Sequence, residues 1–430
     1  MEKRLTKGQI RKLGDKIRLN TSNISNENLE MLQQYRTSYK ETLSVVFTKL
    51  TNTTKSVYTE SILSYRIKRI DSIIRKLERK PTMQLDRMWD IVGCRCILKN
   101  ENQIRKLERK IKDSFFVIES QTRDYYKTVN PTGYKSLHLY IRLNEAHPDV
   151  IEIQLRTKDD HNWATLVEIT DLLLDDNAKE SEDYLKTKFG HFHKILSDKK
   201  NLSDKNTRLI LETVIENDLY NLISKTFINN YVEVRSQWVS TEKSKFKNFF
   251  VIVSQKDKHP LIHSFSSYEK AEIDYFNQFK HDGKANVLLT HLQNNCYDQI
   301  SIAYSNYILT THVFIYDFLR ILENAIIETI SQTKYKLYRR YSFVYLEIIR
   351  NLSKELTSEI NEVNLIETNK ENKDRKKDWI FDLEKRISKV NKENELFEKK
   401  INTAIRDSTI LKKFILNQIN KRNIKKLNLE

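Results

Sequence analysis

At 430 residues the chain is long for one domain, and a hydrophobic share of 39% is enough to build real cores. Its 75 Lys and Arg stand against 58 Asp and Glu, a net charge of +17. That balance suits nucleic acid, nucleotide phosphates or an anionic membrane surface, or else a lysine-rich solvated exterior. Three cysteines, Cys94, Cys96 and Cys296, argue against a disulfide framework or a cysteine-rich zinc site. The excess of positive charge is shared between the halves, +10 over residues 1–200 and +7 over 201–430, so no basic tail is its source.

The polar, charged start lacks an apolar signal core, and no run approaches the roughly 18 apolar residues of a membrane span. The expectation is a soluble protein of a reducing compartment, most simply the cytoplasm, with no membrane partner.

Taken in chain order, residues 1–55 are polar with weak helical periodicity. Leu63, Ile67, Ile70, Ile74 and Leu77 fall at spacings of four and three, which predicts one helix over 57–80 that stops at Pro81. "DRMWDIVGCRCIL" reads as a turn into a strand, 101–113 as a charged helix and "FFVIES" (115–120) as a strand. Asn130-Pro131-Thr132-Gly133 is turn chemistry that leads into a strand at 135–143. "DVIEIQLRT" is a further strand, and 158–173 is helical. The acidic stretch 174–183 and Gly190 suggest a domain edge. Strands are then expected at "KNFFVIVSQ", "PLIHSF", "ANVLLTHLQ" and "QISIAYSNY", around a helix near 268–279. From 307 the pattern is helical, with a break near 367–378. The fold class is α+β: a mixed sheet flanked by helices, then a small α+β unit and a helical C-terminal region.

Several constellations carry chemistry. On a helix, Lys68, Ser72, Lys76 and Arg79 would form a cationic stripe, with Arg66 to one side. The pattern fits a solvated face or a phosphate-binding one. Asp90 is a turn or capping residue, or a metal ligand. Arg95 projects from the strand face opposite Cys94 and Cys96. Past Tyr134, Ser136, His138, Tyr140 and Arg142 alternate with Leu137, Leu139, Ile141 and Leu143. Glu152, Gln154 and Arg156 alternate with Ile151, Ile153 and Leu155 in the same way. Two strand faces bearing Glu, His and Arg would floor a metal-nucleotide site, and Asp90 and Glu152 are hard oxygen donors of the kind Mg²⁺ takes.

"RIKRIDSIIRK", "DIVGCR", "DYYKTVNPTGYKSLH" and "IEIQLRTKDDHNWATLVE", in this order, resemble the RelA/SpoT-type alarmone synthetases over about residues 40–195. "HNWATL" is similar to the small, hydrolase-free branch. No hydrolase-type segment is expected in the roughly 50 residues before the match. The resemblance implies a nucleotidyltransferase-like fold and ATP-dependent transfer of pyrophosphate to a ribose 3′-hydroxyl, with Mg²⁺. By position it implies Arg66, Lys68, Ser72, Lys76 and Arg95 for ATP, and Asp90 and Glu152 as metal ligands or catalytic acid-base groups. For the acceptor it implies Tyr134 stacking on guanine, with Ser136, His138, Gln154 and Arg156 around it.

The loop departs from the family's usual Pro-Lys, having Val129-Asn130 there; Arg123 and Lys127 are nearby cations that compensate. The acceptor implied is GDP or GTP, giving a (p)ppGpp-type alarmone of the stringent response. A neighbouring branch of toxic small synthetases modifies the tRNA 3′ end instead, as a growth-arresting or phage-defence effector. A catalytically silent nucleotide- or RNA-binding regulator is the third reading. The expected divisions are an N-terminal helical segment (1–40), the pyrophosphokinase domain (41–195), an accessory α+β domain (196–306) and the helical region (307–430). A regulatory protein or ligand for the C-terminal half, and a homo-oligomer, stay open.

Overall fold

The computed structural model describes residues 4–128, 130–173, 188–197, 202–240, 248–254, 260–281, 286–292, 299–300, 302, 312–366 and 373–429. Its contacts divide the chain into two units. One comprises residues 1–165 and 244–309, the other 166–243 and 310–430.

The first unit opens with three helices, α1 (Lys7–Leu19), α2 (Asn26–Thr37) and α3 (Lys40–Val57). Thr6 and Gln9 cap α1 reciprocally, satisfying backbone N–H groups that the first turn leaves unpaired. The segment read as one helix over 57–80 is two elements, β1 (Ile62–Ile67) and α4 (Ile70–Arg79). Leu63, Tyr65 and Ile67 also fit period two, and β1 is hydrogen-bonded along both edges, antiparallel to β2 (Val92–Leu98) and to β9 (Asn286–His291). Those two ladders outweigh the helical spacing, which only α4 obeys. Helix α5 (Glu101–Ser114), the short strands β3 (Phe116–Val117) and β4 (Arg123–Asp124), β5 (Leu137–Arg142), β6 (Ile151–Thr157) and α6 (Lys158–Leu173) follow. The strand expected at 115–120 is thus only two residues long.

The strands β7 (Phe249–Ser254) and β8 (Leu261–Phe265), helix α10 (Tyr268–His281) and β9 come after a 22-residue helix, but they do not make a sheet of their own. The sheet runs β3-β5-β6-β2-β1-β9-β7-β8, with β4 on β5, and β2–β6 is its parallel pair. The separate α+β unit expected over 196–306 is therefore replaced, among the described residues, by an extension of the first sheet. Its strands lay β9 against β1, which would otherwise be an edge. Of "QISIAYSNY", residues 299, 300 and 302 are helical rather than extended, and the rest lies outside the described residues.

One sheet face is the core. Tyr65, Cys94, Cys96, Ile153, Leu155 and Leu139 are buried on it, with Val251 and Leu289 in the extension. Phe47 of α3 and Tyr275 of α10 each meet Tyr65 edge-to-face at 4.9 Å. The Tyr275 hydroxyl also accepts the Ile67 N–H at 3.0 Å.

The second unit is helical: α6 from Leu166 on, α7 (Lys188–Leu196), α8 (Asp204–Glu216), α9 (Leu219–Ser240), α11 (His312–Ser331), α12 (Tyr335–Leu365), α13 (Lys373–Arg406) and α14 (Ile410–Leu429). The break expected near 367–378 falls partly outside the described residues, and from Lys373 the chain is helical. No helix of the described residues is long and apolar enough to cross a membrane.

The Tyr275 hydroxyl ties the late extension to β1 at a buried N–H. Tyr275→Phe should lower unfolding free energy by about 1–3 kcal/mol, the cost of stranding a buried donor, with unchanged far-ultraviolet circular dichroism. Denaturant titration reads the loss.

Candidate active site

The parallel β2–β6 register sets Gly93 beside Glu152 and Arg95 beside Gln154. Antiparallel β5 adds His138 opposite Gln154 and Tyr140 opposite Glu152, and β1 adds Arg66 opposite Gly93. The polar face anticipated from alternation on two strands is thus one surface across four. Gly93 keeps it open, since a Cβ there would sit 3.6 Å from Glu152 Oε2.

At one edge of this surface Asp90 lies in the turn before β2. Its carboxylate accepts from Lys68 Nζ at 2.8 Å and Lys76 Nζ at 2.7 Å. Lys68 opens the two-residue link between β1 and α4, and Lys76 stands two turns into α4, so the strand–helix break brings them onto one acid. Burial pushes the Asp90 carboxyl upward, but the two ammonium groups outweigh it and hold it at about 2. Lys68 is lowered, first by burial and then by Lys76 and Arg66, although Asp90 opposes this. The cluster holds more cation than it can neutralise. Ser72 is half-buried in the first turn of α4, one turn before Lys76. Arg66 is exposed. Arg79, placed in the same stripe, is exposed at the far end of α4.

Glu152 is buried, and three side chains hold it: His138 Nδ1 at 2.9 Å, Tyr140 Oη at 3.1 Å and Gln154 Nε2 at 2.9 Å. Burial raises its pKa, and the hydrogen bond and charge of His138 more than reverse that, so it stays ionised. The charge of Asp90 also reaches it and raises it, which places the two acids within electrostatic range. Burial lowers His138, but Tyr134 and Glu152 raise it further, and the net is upward.

Tyr134 follows a turn built as the sequence indicated. Asn130 Oδ1 accepts from Thr132 N at 3.0 Å, Gly133 N bonds to Asn130 O at 2.9 Å, and Gly133 takes φ 85°, a conformation that favours glycine. The Tyr134 hydroxyl meets His138 Nε2 at 2.8 Å and Arg156 Nη2, and the Arg156 guanidinium lies 4.9 Å from its ring centre. Tyr125 at 5.4 Å and Trp163 at 6.4 Å close the ring's surroundings. Burial raises the Tyr134 phenol; Arg156 and His138 prevail and lower it.

Ser136 does not present its hydroxyl to an acceptor. It is fully buried and donates to Leu155 O at 3.2 Å, pinning the loop's exit to β6. Arg156 is buried, whereas Arg123 on β4 and Lys127 on the loop that follows are exposed. Asp124 anchors that loop through Arg105 of α5, at 2.7 and 3.1 Å. Three participants escaped the sequence reading as site residues. Tyr140 was legible on the His138 face. Trp89, 6.0 Å from Tyr140, had only its place beside Asp90 as a signal. His161, buried and lowered by burial, Arg95 and Arg156, had none.

Residues 65–170 match the family model described as a region found in RelA / SpoT proteins. GTP pyrophosphokinase YwaC of Bacillus subtilis is 33% identical over 132 residues, covering 28% of this chain and 63% of YwaC. An uncharacterized protein of Mycobacterium tuberculosis is 31% identical over 113 residues, 26% of this chain and 39% of that protein. The chain thus spans less than two thirds of these relatives. Among solved structures, small alarmone synthetase 2 of Bacillus subtilis is 25% identical, with a TM-score of 0.31, over 38% of this chain and 88% of that one. The matched residues 65–170 contain β2, β5 and β6 of the polar face, and β1 runs into them.

The ion pairs of Asp90 are tested by acid. Its folded pKa lies below the ordinary value, so its contribution is complete above about pH 5 and lost as pH falls toward 2. Wild type should exceed Asp90→Asn by about 2 kcal/mol in unfolding free energy at neutral pH, and the gap should close near pH 2. A pH-independent gap in denaturant titrations would contradict the assignment.

Proposed function

We propose that the protein transfers pyrophosphate from ATP to the ribose 3′-hydroxyl of GDP or GTP, making a (p)ppGpp-type alarmone. The observation that carries the reading is Asp90 bridged to Lys68 and Lys76 beside an ionised, hydrogen-bonded Glu152 on one sheet face. A silent scaffold has no reason to keep such a costly array of half-buried charges. YwaC's name, GTP pyrophosphokinase, points to the same chemistry.

In this reaction the acceptor's 3′-oxygen attacks the β-phosphorus of ATP. The bond from that phosphorus to the α–β bridging oxygen breaks, and AMP leaves. Lys68 and Lys76, with Arg66 and Arg95, meet the triphosphate; the surplus positive charge at Asp90 is what an incoming polyanion neutralises. Glu152 takes the proton of the attacking hydroxyl, and His138, Tyr140 and Gln154 hold it in place to do so. Tyr134 stacks on the acceptor base, which requires Arg156 to give up part of its contact with the ring.

Asp90 and Glu152 are oxygen donors within each other's field, a set that fits Mg²⁺. Bound there, the ion would supply charge neutralisation at the phosphates. Phosphates that draw off the lysines would free the Asp90 oxygens for it.

Incubation with γ-³²P ATP and GDP, GTP or bulk tRNA tests the reading by which species takes label. Label on guanine nucleotide is expected. Label on tRNA alone would replace the acceptor, and label on none would reduce the site to a binding one. Glu152→Gln should cut kcat by about 10²–10⁴, the usual worth of a positioned base. Tyr134→Ala should act mainly through acceptor KM; an unchanged KM would remove the stacking role.

A further inference from the structure

The helical second unit carries a surface that the proposed transfer does not use. Its 36 Lys and Arg face 32 Asp and Glu overall. Two stretches, residues 334–343 at the start of α12 and 408–429 around α14, hold ten of those cations and no carboxylate. Without them the unit has 26 cations against 32 anions. The positive charge of this unit is therefore not diffuse: it is collected on two segments of an otherwise acidic body.

The fold puts the two segments side by side. Tyr338 Oη donates to Asn420 Oδ1 at 2.6 Å, and Asn423 Nδ2 donates to Arg339 O and Ser342 Oγ, both at 3.0 Å. Lys426 lies 4.2 Å from the Phe343 ring centre. One turn of α12 thus runs beside the turn of α14 that carries Lys421 and Arg422. Arg339, Arg340, Lys421, Arg422 and Lys425 are exposed. Among the described residues, none of these five is in an ion pair with a carboxylate. Like charges crowded on two packed helices repel, so the arrangement costs stability unless an anion relieves it.

We propose that this α12–α14 face binds the phosphate backbone of an RNA. From Lys412 to Lys426 the cations extend about 20 Å along α14 at 1.5 Å per residue, enough to meet several phosphates in succession. Exposed Asn417, Gln418 and Asn428 add donors suited to phosphate and sugar oxygens. A membrane surface would demand an apolar face along the helix, between flanking cations. Here Leu416 is buried and Ile415, Ile419 and Leu427 are half-buried; of the exposed apolar residues, Ile424 stands singly among Lys421–Lys426, while Ile410, Leu411 and Phe414 cluster at the other end of the helix, two to three turns away, so no continuous apolar face runs along it.

The test is fluorescence anisotropy of the full chain with labelled bulk tRNA, and co-sedimentation with phosphatidylserine vesicles, from about 50 to about 300 mM salt. No ATP is added, so the result is independent of the transferase reading. Binding to tRNA is expected, with log K falling linearly against log salt. Lys421→Glu, Arg422→Glu and Lys425→Glu together should weaken it at least about tenfold and reduce the slope by roughly two to three. Lys421→Arg with Lys425→Arg should bind as wild type does. If the triple reversal misfolds, the corresponding triple Gln variant replaces it and should show a smaller loss in the same direction. Equal tRNA binding by wild type and the charge-removing variants would overturn the proposal, as would capture by vesicles with no binding to tRNA.

Discussion

The candidate site depends on one pairing, β2 parallel to β6. These strands carry Arg95 and Glu152, fifty-seven positions apart, and nothing local brings them together. Parallel neighbours need a crossover, and α5 with the β3–β5 stretch supplies it. Once β2 and β6 are in register, the alternation of each strand becomes decisive. A slip by one residue would turn Glu152, Gln154 and Arg156 into the core and Ile153 and Leu155 out of it. Burial of the apolar set against α3 and α5 prevents that slip, so the stability of the core and the geometry of the polar face have the same cause.

On that face the electrostatics divide into two clusters. At Asp90 the cations exceed the anion, and the excess is suited to phosphates. At Glu152 the carboxylate is kept ionised in a buried setting by His138, Tyr140 and Gln154, and the network continues through Tyr134 to Arg156. The two clusters meet through the field between their acids, with Gly93 between them lacking a side chain to fill the space. Ser136, which looked like a contact for the acceptor, serves instead to fasten the loop to β6.

Most of the first sheet was legible because its strands alternate strictly and its turns contain Asn, Pro and Gly. The same clarity marked Asp90, His138 and Glu152 as chemistry-bearing. The helix expected over 57–80 failed for a definite reason: apolar residues at 63, 67, 70, 74 and 77 satisfy a helical period, and only the pairing of β1 with both β2 and β9 overrides it for the first third. Lys68 and Lys76 nevertheless converge, because a strand, a two-residue link and a helix return them to Asp90 as a continuous helix would not. His161 gave no local signal at all, since its neighbours Arg95 and Arg156 come from two different strands.

By itself the sequence determined the period of each strand, the turn at Gly133, the types of residue available for phosphate chemistry and the overall excess of positive charge. Those are local or compositional properties, and each follows from covalent structure and side-chain chemistry. Only the tertiary structure decided that residues 249–291 complete the first sheet instead of forming another, that Glu152 is buried and held by three partners, and that two cation-rich helix segments lie together. Strand partners, burial and charge clustering depend on contacts between residues tens to hundreds of positions apart. Chain spacing alone does not encode the competition among such contacts.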